Sequence, residues 1–347
     1  DPVGYGVIGN TEVSGTFVLG SSPGTPARKT LAIARVFSFN RHNQQVSSMP
    51  RHIVVAINPT AAFGKNSAAG DQTVAALEVA GHTVTALRAD SYDLLRGQLN
   101  RALALTPDAL VVVGGDGMVS LAVNMVSQTS VPFAVVPAGT GNDLARGIGL
   151  PVGDLQKCIS LMVASLEREP ERLDLGRITS VDGSEVRWFA SILSAGFDAI
   201  VNERANAMTW PKGKSRYTLA LLRELFSLKP VTYSLTVDGV SREESAMLIS
   251  VANNSTMGGG MKVTPQASMR DGLLDIFLLR PLSRLRFLRL FPRVFAGTHI
   301  SEPEVLIERG KTVVLDAPGI VAYADGERVW SLPVQVDVVP AAVRVFI

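Results

Sequence analysis

Val111-Val112-Val113-Gly114-Gly115-Asp116-Gly117 is the stretch on which the reading of this chain turns. A run of wholly apolar, β-branched residues belongs in a strand buried on both faces, as in a parallel sheet covered by helices. Two glycines then let the backbone turn sharply and approach a ligand with no Cβ in the way. Val119 to Val126 follows with helical spacing, so the turn leads into a helix N-terminus whose free N–H groups and positive dipole end favour phosphate. Asp116 cannot itself bind phosphate, but among these donors it can hold Mg²⁺ or a metal-bound water beside one. Taken alone, the loop also fits, with less weight, a plain turn with Asp116 as helix N-cap. The next apolar strand, Val131 to Val136, ends in Pro137-Ala138-Gly139-Thr140-Gly141-Asn142-Asp143, a second loop of the same kind. Two Gly-rich polar loops at adjacent strand ends make a cradle of phosphate size, which turn formation and capping do not explain.

The alternation extends outward from these loops. Ile53 to Ile57 is a short apolar run, Gln72 to Ala80 and Tyr92 to Leu105 have helical spacing, and His82 to Leu87 is extended. This pattern predicts a Rossmann-like α/β domain whose function sits at the strand C-termini. The first strand ends in Asn58-Pro59, and Gly64-Lys65-Asn66 follows; Pro59 in place of the first Gly and Asn66 in place of Ser/Thr exclude a Walker A loop. No GxGxxG follows that strand either, which argues against an ordinary dinucleotide-binding domain. Beyond Pro170 extended segments dominate: Val186 to Leu193, Val231 to Val237, Ala246 to Ala252, Leu273 to Leu279 and Thr312 to Leu315. With helices near Tyr217 to Phe226 and Leu282 to Phe295, they predict a β-rich sandwich as second domain.

The 347 residues suffice for two cores, and 46% hydrophobic against 18% charged is too apolar for a disordered chain. A positive mean hydropathy raises the question of a membrane protein. The apolar windows, such as 109–113 and 131–138, are far shorter than the roughly 18 residues of a span. A net charge of +2 gives no field that argues for nucleic acid. Cys158 is the single cysteine, so no intrachain disulfide forms; it reads as a core residue and fits a reducing compartment. Residues 1–48 show no sustained period and cluster Gly, Ser, Thr and Pro at 20–25, so they read as a poorly ordered extension before a domain starting near Met49. The expected organisation is 49–170 for nucleotide binding and 171–347 for the β-rich, lipid-binding part, with the last strand free to return to the first domain.

Asn58-Pro59, GGDG at 114–117 and GTGND at 139–143 resemble the diacylglycerol kinase catalytic domain family, the soluble bacterial lipid kinases related to sphingosine and ceramide kinases. The resemblance continues through Gly196-Phe197-Asp198-Ala199, Lys212 to Tyr217, Asn253 with Gly258-Gly259-Gly260, Pro265, Asp271 to Asp275 and Asp325-Gly326-Glu327, so it covers the chain from about Arg51 onward. It implies a fold of the NAD kinase/diacylglycerol kinase type and transfer of the ATP γ-phosphate to a lipid hydroxyl, with diacylglycerol as acceptor and phosphatidic acid as product. By the same resemblance Gly114, Gly115, Gly117, Thr140, Gly141 and Asn142 contact ATP, with Asn58 near them. Asp116, and with less force Asp143, join a Mg²⁺ and water network. Asp325 matches the general base, Glu327 its acidic neighbour, and Asp271 the side-chain ligand of a structural metal site. Met118 departs from the pattern, since the family usually has Thr there; a lost hydroxyl contact to a charged group amounts to about 1.5–3 kcal/mol unless Ser120 or a backbone N–H replaces it.

The chemistry is consistent with these roles. A primary alcohol is a poor nucleophile, so transfer needs a carboxylate to take its proton and cations to spread the charge on the moving group. Asp-Gly between Tyr323 and Val329 is also a strong hairpin signal, and such a turn can present the base. Arg280 to Phe295 carries five arginines (280, 284, 286, 289, 293), no acid, and Leu and Phe between them. That suits an interfacial helix meeting anionic headgroups, although Pro292 interrupts it and a helix packed on a sheet would look similar. Lys212, Lys214 and Arg216 form a second such candidate. The expected partner is a lipid at the membrane surface, for a cytoplasmic enzyme peripheral to the inner face, with a homodimer left open. Sphingoid-base or other lipid kinases, a kinase with a small soluble acceptor, and a non-catalytic nucleotide- or lipid-binding regulator are the alternatives.

Overall fold

The computed structural model describes residues 49–58, 68–196, 200, 201, 204, 208, 210, 219, 220, 223, 224 and 229–347. The 1–48 extension, Gly64 to Asn66, Phe197 to Ala199, the Lys212 to Tyr217 segment and most of the helix expected at 217–226 lie outside the described residues.

The first half alternates as its sequence requires: β1 (His52–Ile57), α1 (Ala69–Val79), β2 (Thr83–Leu87), α2 (Tyr92–Leu103), β3 (Ala109–Gly114), α3 (Asp116–Val126), β4 (Phe133–Pro137), α4 (Asp143–Gly147) and α5 (Leu155–Ser165). β1 lies parallel between β2 and β3, and β3 parallel to β4. Alternate residues of the central strands enter different cores. Val54, Leu110, Val112 and Phe133 meet α2 and α3 through Leu95, Leu99 and Val123. Ile53, Val111, Val113 and Val136 meet α1 and α5 through Leu77, Ile159 and Met162. Burial on both faces is why these strands are apolar throughout; truncating Leu110 to Ala, for example, should cost about 2–5 kcal/mol.

The second half supplies β5 (Glu171–Thr179), β6 (Val186–Phe189), β7 (Ile192–Gly196), β8 (Val231–Val237), β9 (Val240–Ala246), β10 (Leu248–Ala252), β11 (Leu274–Leu279), α6 (Arg284–Ala296), β12 (Val305–Gly310), β13 (Thr312–Asp316), β14 (Val321–Ala324), β15 (Glu327–Ser331) and β16 (Val334–Val345). Among the described residues these strands divide between an extension of the first sheet and a second sheet. β16 reaches β4 in parallel at Val345 and Phe133, and also pairs antiparallel with β5 and β13. One sheet therefore runs β2-β1-β3-β4-β16-β13-β8-β9, with β5 and β6 alongside β16. The other runs β12-β11-β10-β7-β14-β15, and the two face each other over a core that includes Tyr233, Leu235, Ile249, Ile276, Val313 and Val336.

Two segments differ from the sequence reading. The expected strand at 186–193 breaks at Ala190-Ser191, where the chain passes from β6 in one sheet to β7 in the other. The reading of Pro292 as an interruption does not hold, because α6 continues through it to Ala296. Pro292 is exposed, so the backbone bond it forgoes lies on the solvent side, where water can replace it.

Candidate active site

The two glycine loops lie side by side at the C-termini of β3 and β4. Ala138 donates its N–H to the Gly114 carbonyl at 2.9 Å, and a Cβ on Gly115 would come within 3.0 Å of the Gly139 Cα, so only glycines allow this approach. Asp116 joins the loops, its Oδ2 accepting the Asn142 N–H at 2.9 Å and its Oδ1 the Asp143 N–H at 2.6 Å. The expected metal ligand thus also organises the neighbouring loop, whose N–H groups it satisfies at the start of α4. Asn142 has left-handed backbone (φ 57°), and its side-chain amide both accepts from Gly139 N–H at 3.0 Å and donates to Gly139 C=O at 2.9 Å. Arg146 Nε donates to the Gly141 carbonyl at 3.0 Å. Asn142 therefore shapes the loop with its side chain, while Thr140 is exposed at its tip.

Asp325 reaches the same place from the opposite sheet. It is the first residue of a two-residue turn between β14 and β15 with positive φ at both Asp325 (49°) and Gly326 (83°), as a type I′ hairpin requires. The sheet switch at Ala190-Ser191 leaves backbone donors free of the ladder, and Asp325 takes them. Its Oδ2 accepts Ala190 N–H at 2.7 Å; its Oδ1 accepts Ser191 N–H at 2.9 Å and Ile192 N–H at 3.2 Å. Burial pushes this carboxyl up to about 6 against the pull of those N–H groups, and the Asp116 charge adds to the rise.

Asp116, Asp143 and Asp325 line one cavity of about 180 Å³, with Ser191, Ser194 and Tyr323 among its other walls. Asp143 is raised to about 7, by burial first and by Asp116 next, despite the N–H groups of Gly259 and Gly258. Asp116 is also raised, chiefly by burial. At the edge, the Tyr92 hydroxyl bonds the Asn58 side chain, and burial together with Glu327 raises its pKa. A Cβ on Gly117 would lie 3.4 Å from that hydroxyl and 3.5 Å from Glu327 Oε1, which places Asn58, Gly117 and Glu327 around one point.

Residues 52–178 match the diacylglycerol kinase catalytic domain, and residues 191–347 the YegS C-terminal NAD kinase beta sandwich-like domain. A diacylglycerol kinase of Mycobacterium tuberculosis is 39% identical over 295 residues, 84% of this chain and 94% of that protein. The chain belongs to the diacylglycerol kinase-like lipid kinase family. A further family member, a diacylglycerol kinase of Bacillus subtilis, is 25% identical over 65% of this chain and 73% of its own length. The fold is that of a putative diacylglycerol kinase from Bacillus anthracis, with a TM-score of 0.67 at 18% identity over 85% of this chain and 97% of that one.

Within this lipid kinase fold Met118 is a packing residue. It is fully buried in the core beneath Gly114, whose added Cβ would lie 3.0 Å from the Met118 Cβ. Asp271 stands apart from the three clustered carboxylates. It accepts the Leu273 N–H at 3.1 Å and has the Arg309 guanidinium 4.0 Å away, so its charge is already answered by a cation. Among the described residues no three His, Cys, Asp or Glu side chains come together as a metal site. Asp275 shares that guanidinium, with Arg309 Nε 3.0 Å from its Oδ1, so two carboxylates face one cation there, and the Asp271 charge adds to the rise that burial gives the Asp275 carboxyl.

Sequence reasoning passed over Asn254, Ser191 and Tyr92. Asn254 is fully buried and donates to the Asp143 carbonyl at 3.0 Å and to Ser191 Oγ at 3.3 Å, tying the GTGND loop to the second sheet. The adjacent pair Asn253-Asn254 closing an apolar strand was the available signal, because two amides there need buried partners.

Proposed function

We propose that the chain transfers the γ-phosphoryl group of ATP to the hydroxyl of diacylglycerol, yielding phosphatidic acid and ADP. The observation that carries this reading is Asp325, whose carboxylate is held by three backbone N–H groups in the cavity that also receives Asp116 and the GTGND loop. Oδ2 accepts one N–H and Oδ1 two, so Oδ2 keeps a lone pair for the acceptor's proton. A base near 6 is ionised at neutral pH and stronger than an ordinary aspartate. The proton passes to Oδ2 as the acceptor oxygen bonds to the γ-phosphorus and the bond to the β-phosphate oxygen breaks.

The glycine loops suit the phosphates because neither carries a side chain where the two backbones meet. Mg²⁺ fits the cavity, since burial raises both Asp116 and Asp143 and the Asp116 charge raises Asp143 further. Asp116 and Asp143 would hold it, and it would neutralise charge on the phosphates. A lipid acceptor is favoured by a second cavity of about 80 Å³, which shares Met257 with the acidic one and is walled by Phe277, Leu279, Phe287 and Leu290. Two buried polar atoms in that apolar cavity, Ser250 Oγ and His299 Nδ1, lack partners among the described residues, which suits a chain bearing ester groups.

Labelled ATP and Mg²⁺ offered with diacylglycerol, sphingoid base and soluble alcohols test the reading. Transfer to diacylglycerol that Asp325→Ala abolishes is expected. Preference for a sphingoid base would change the acceptor, and equal transfer by Asp325→Ala would remove the proposed base.

A further inference from the structure

Asp325 is held by the N–H groups of residues 190–192, and the carbonyls of that same stretch are held from the other side. Asn253, the residue after β10, is fully buried and directs its side-chain amide there. Nδ2 donates to the Ala190 carbonyl at 2.9 Å and to the Asp174 carbonyl at 2.9 Å. Asp174 lies on β5 opposite the register shift of β16 between Val339 and Val343, where the strand pairing skips it. The Ser191 carbonyl accepts the backbone N–H of Asn253 at 2.9 Å and that of Asn254 at 3.1 Å.

These contacts join end to end. The Ala190 carbonyl and the Ser191 N–H belong to one peptide group, so a line of hydrogen bonds runs from Asn253 Nδ2 through that peptide to Asp325 Oδ1. The Ser191 carbonyl and the Ile192 N–H form a second such peptide, which also ends on Oδ1. Accepting a bond at its carbonyl polarises a peptide and strengthens its N–H as a donor, by roughly 10–30% per bond. Two strengthened donors thus fix Oδ1, while Oδ2 takes the Ala190 N–H alone. Asn253 acts here only as a donor: Nδ2 serves two carbonyls, and its Oδ1 has no partner among the described residues. The reverse orientation would set an oxygen against both carbonyls. A bare buried amide oxygen costs about 1–3 kcal/mol, so the residue is placed for what it donates.

We propose that Asn253 is a positioning residue for phosphoryl transfer: through the peptide between Ala190 and Ser191 its side chain steadies Asp325 Oδ1, and so keeps Oδ2 turned to the acceptor hydroxyl. Asn253 is not among the walls of the acidic cavity, so it acts on the reaction through Asp325. Asp116 and Asp143 are the charged groups that face Asp325 there, and the Asn253 side chain bonds to neither, so replacing it leaves both in place. The inference rests on the reading of Asp325 as the base.

The test is labelled phosphate transfer to diacylglycerol by Asn253→Asp and Asn253→Ala, followed from acidic to alkaline pH. The first variant keeps the shape and turns an oxygen toward both carbonyls; the second removes the donor. In each, kcat should fall by about 10²-fold, as a small misplacement of a reacting group does, with the KM for ATP unchanged because neither glycine loop is touched. The acidic limb of the rate profile should move to higher pH, since weaker donors on Oδ1 leave the carboxylate harder to ionise. A wild-type acidic limb, with activity lost only in step with the folded fraction seen in thermal unfolding, overturns the proposal, as does a loss that falls on the KM for ATP. Should both variants fail to fold, NMR of the wild type decides. The side-chain amide resonance of Asn253 should shift with pH together with the carboxylates of the cavity and cease to do so in Asp325→Ala, and a resonance that ignores pH overturns the proposal. Equal transfer by Asp325→Ala would remove the base and this inference with it. Transfer abolished by Asp325→Ala yet retained at the wild-type rate by both Asn253 variants would remove this inference alone.

Discussion

Replacing Asp325 by asparagine keeps the shape of the side chain and removes its charge, so stability and activity should respond in different ways. The amide oxygen can still accept from Ser191 and Ile192, but the NH₂ then faces the Ala190 N–H that Oδ2 accepts at 2.7 Å, donor against donor. Losing that bond should cost about 1.5–3 kcal/mol. Against it stands the charge itself. A carboxyl moved from 3.8 to about 6 by folding destabilises the ionised folded state by about 3 kcal/mol at pH 8. Because the folded value lies above the unfolded one, the wild type takes up a proton on folding in that window, and its stability falls as pH rises through it. The variant lacks this fall. Its stability relative to wild type should therefore rise by about 2 kcal/mol between pH 4.5 and pH 8, ending close to wild type. Neutralising Asp325 also relieves Asp143, which adds in the same direction. Transfer to diacylglycerol should drop by about 10²- to 10⁴-fold, the usual contribution of a general base. Thermal unfolding across the pH range, beside labelled phosphate transfer at pH 8, checks both parts. A stability difference that does not change with pH, or a transfer rate equal to wild type, would refute the reasoning.

Further outcomes follow from the same geometry. Gly141→Ala would push a methyl group into the Asp116 carboxylate, with Cγ only 3.3 Å away, so ATP affinity measured by calorimetry should fall while unfolding shifts by about 1–3 kcal/mol. Asn142→Ala removes two side-chain bonds to Gly139 and puts alanine at φ 57°; a loss of about 2 kcal/mol in denaturant unfolding is expected, with Asn142→Gly losing less. The rate of transfer should fall on acidification with an apparent midpoint near 6 that belongs to the three carboxylates together, and a pH profile flat down to 5 would contradict it. Mg²⁺ should raise the unfolding temperature of Asp271→Asn as much as that of wild type, since Arg309 already faces that carboxylate.

Much of the architecture was legible because its cause is local. Burial on both faces makes β3 and β4 apolar at every position, and the turn after each must be glycine for the backbones to come within contact, so both strands and both loops stand out in the chain itself. The Asp325-Gly326 hairpin was legible for the same reason, since two successive positive φ angles select Asp-Gly. The break of the 186–193 segment into two strands was not, because both pieces have strand composition and only their partners in different sheets separate them. Asn142 shows the limit at the site: its place in GTGND pointed to the nucleotide, while its side chain is bonded to Gly139.

By itself the sequence determined which residues are chemically able to act, namely three aspartates, two glycine loops and an arginine-bearing helix, because residue type and spacing within a segment are written there. Only the tertiary structure decided which of them meet. Asp116 and Asp325 are 209 positions apart in the numbering and come to one cavity because the hairpin takes the N–H groups freed where the chain changes sheets. Asp271 carries the same carboxylate and stays outside that cavity, beside Arg309. On α6, likewise, the four arginines look alike in sequence, and only the positions of Glu302 and Glu304 reveal that Arg286 and Arg293 are held within the protein. Such distinctions rest on long-range packing and on charges brought close by folding, and no local pattern encodes either.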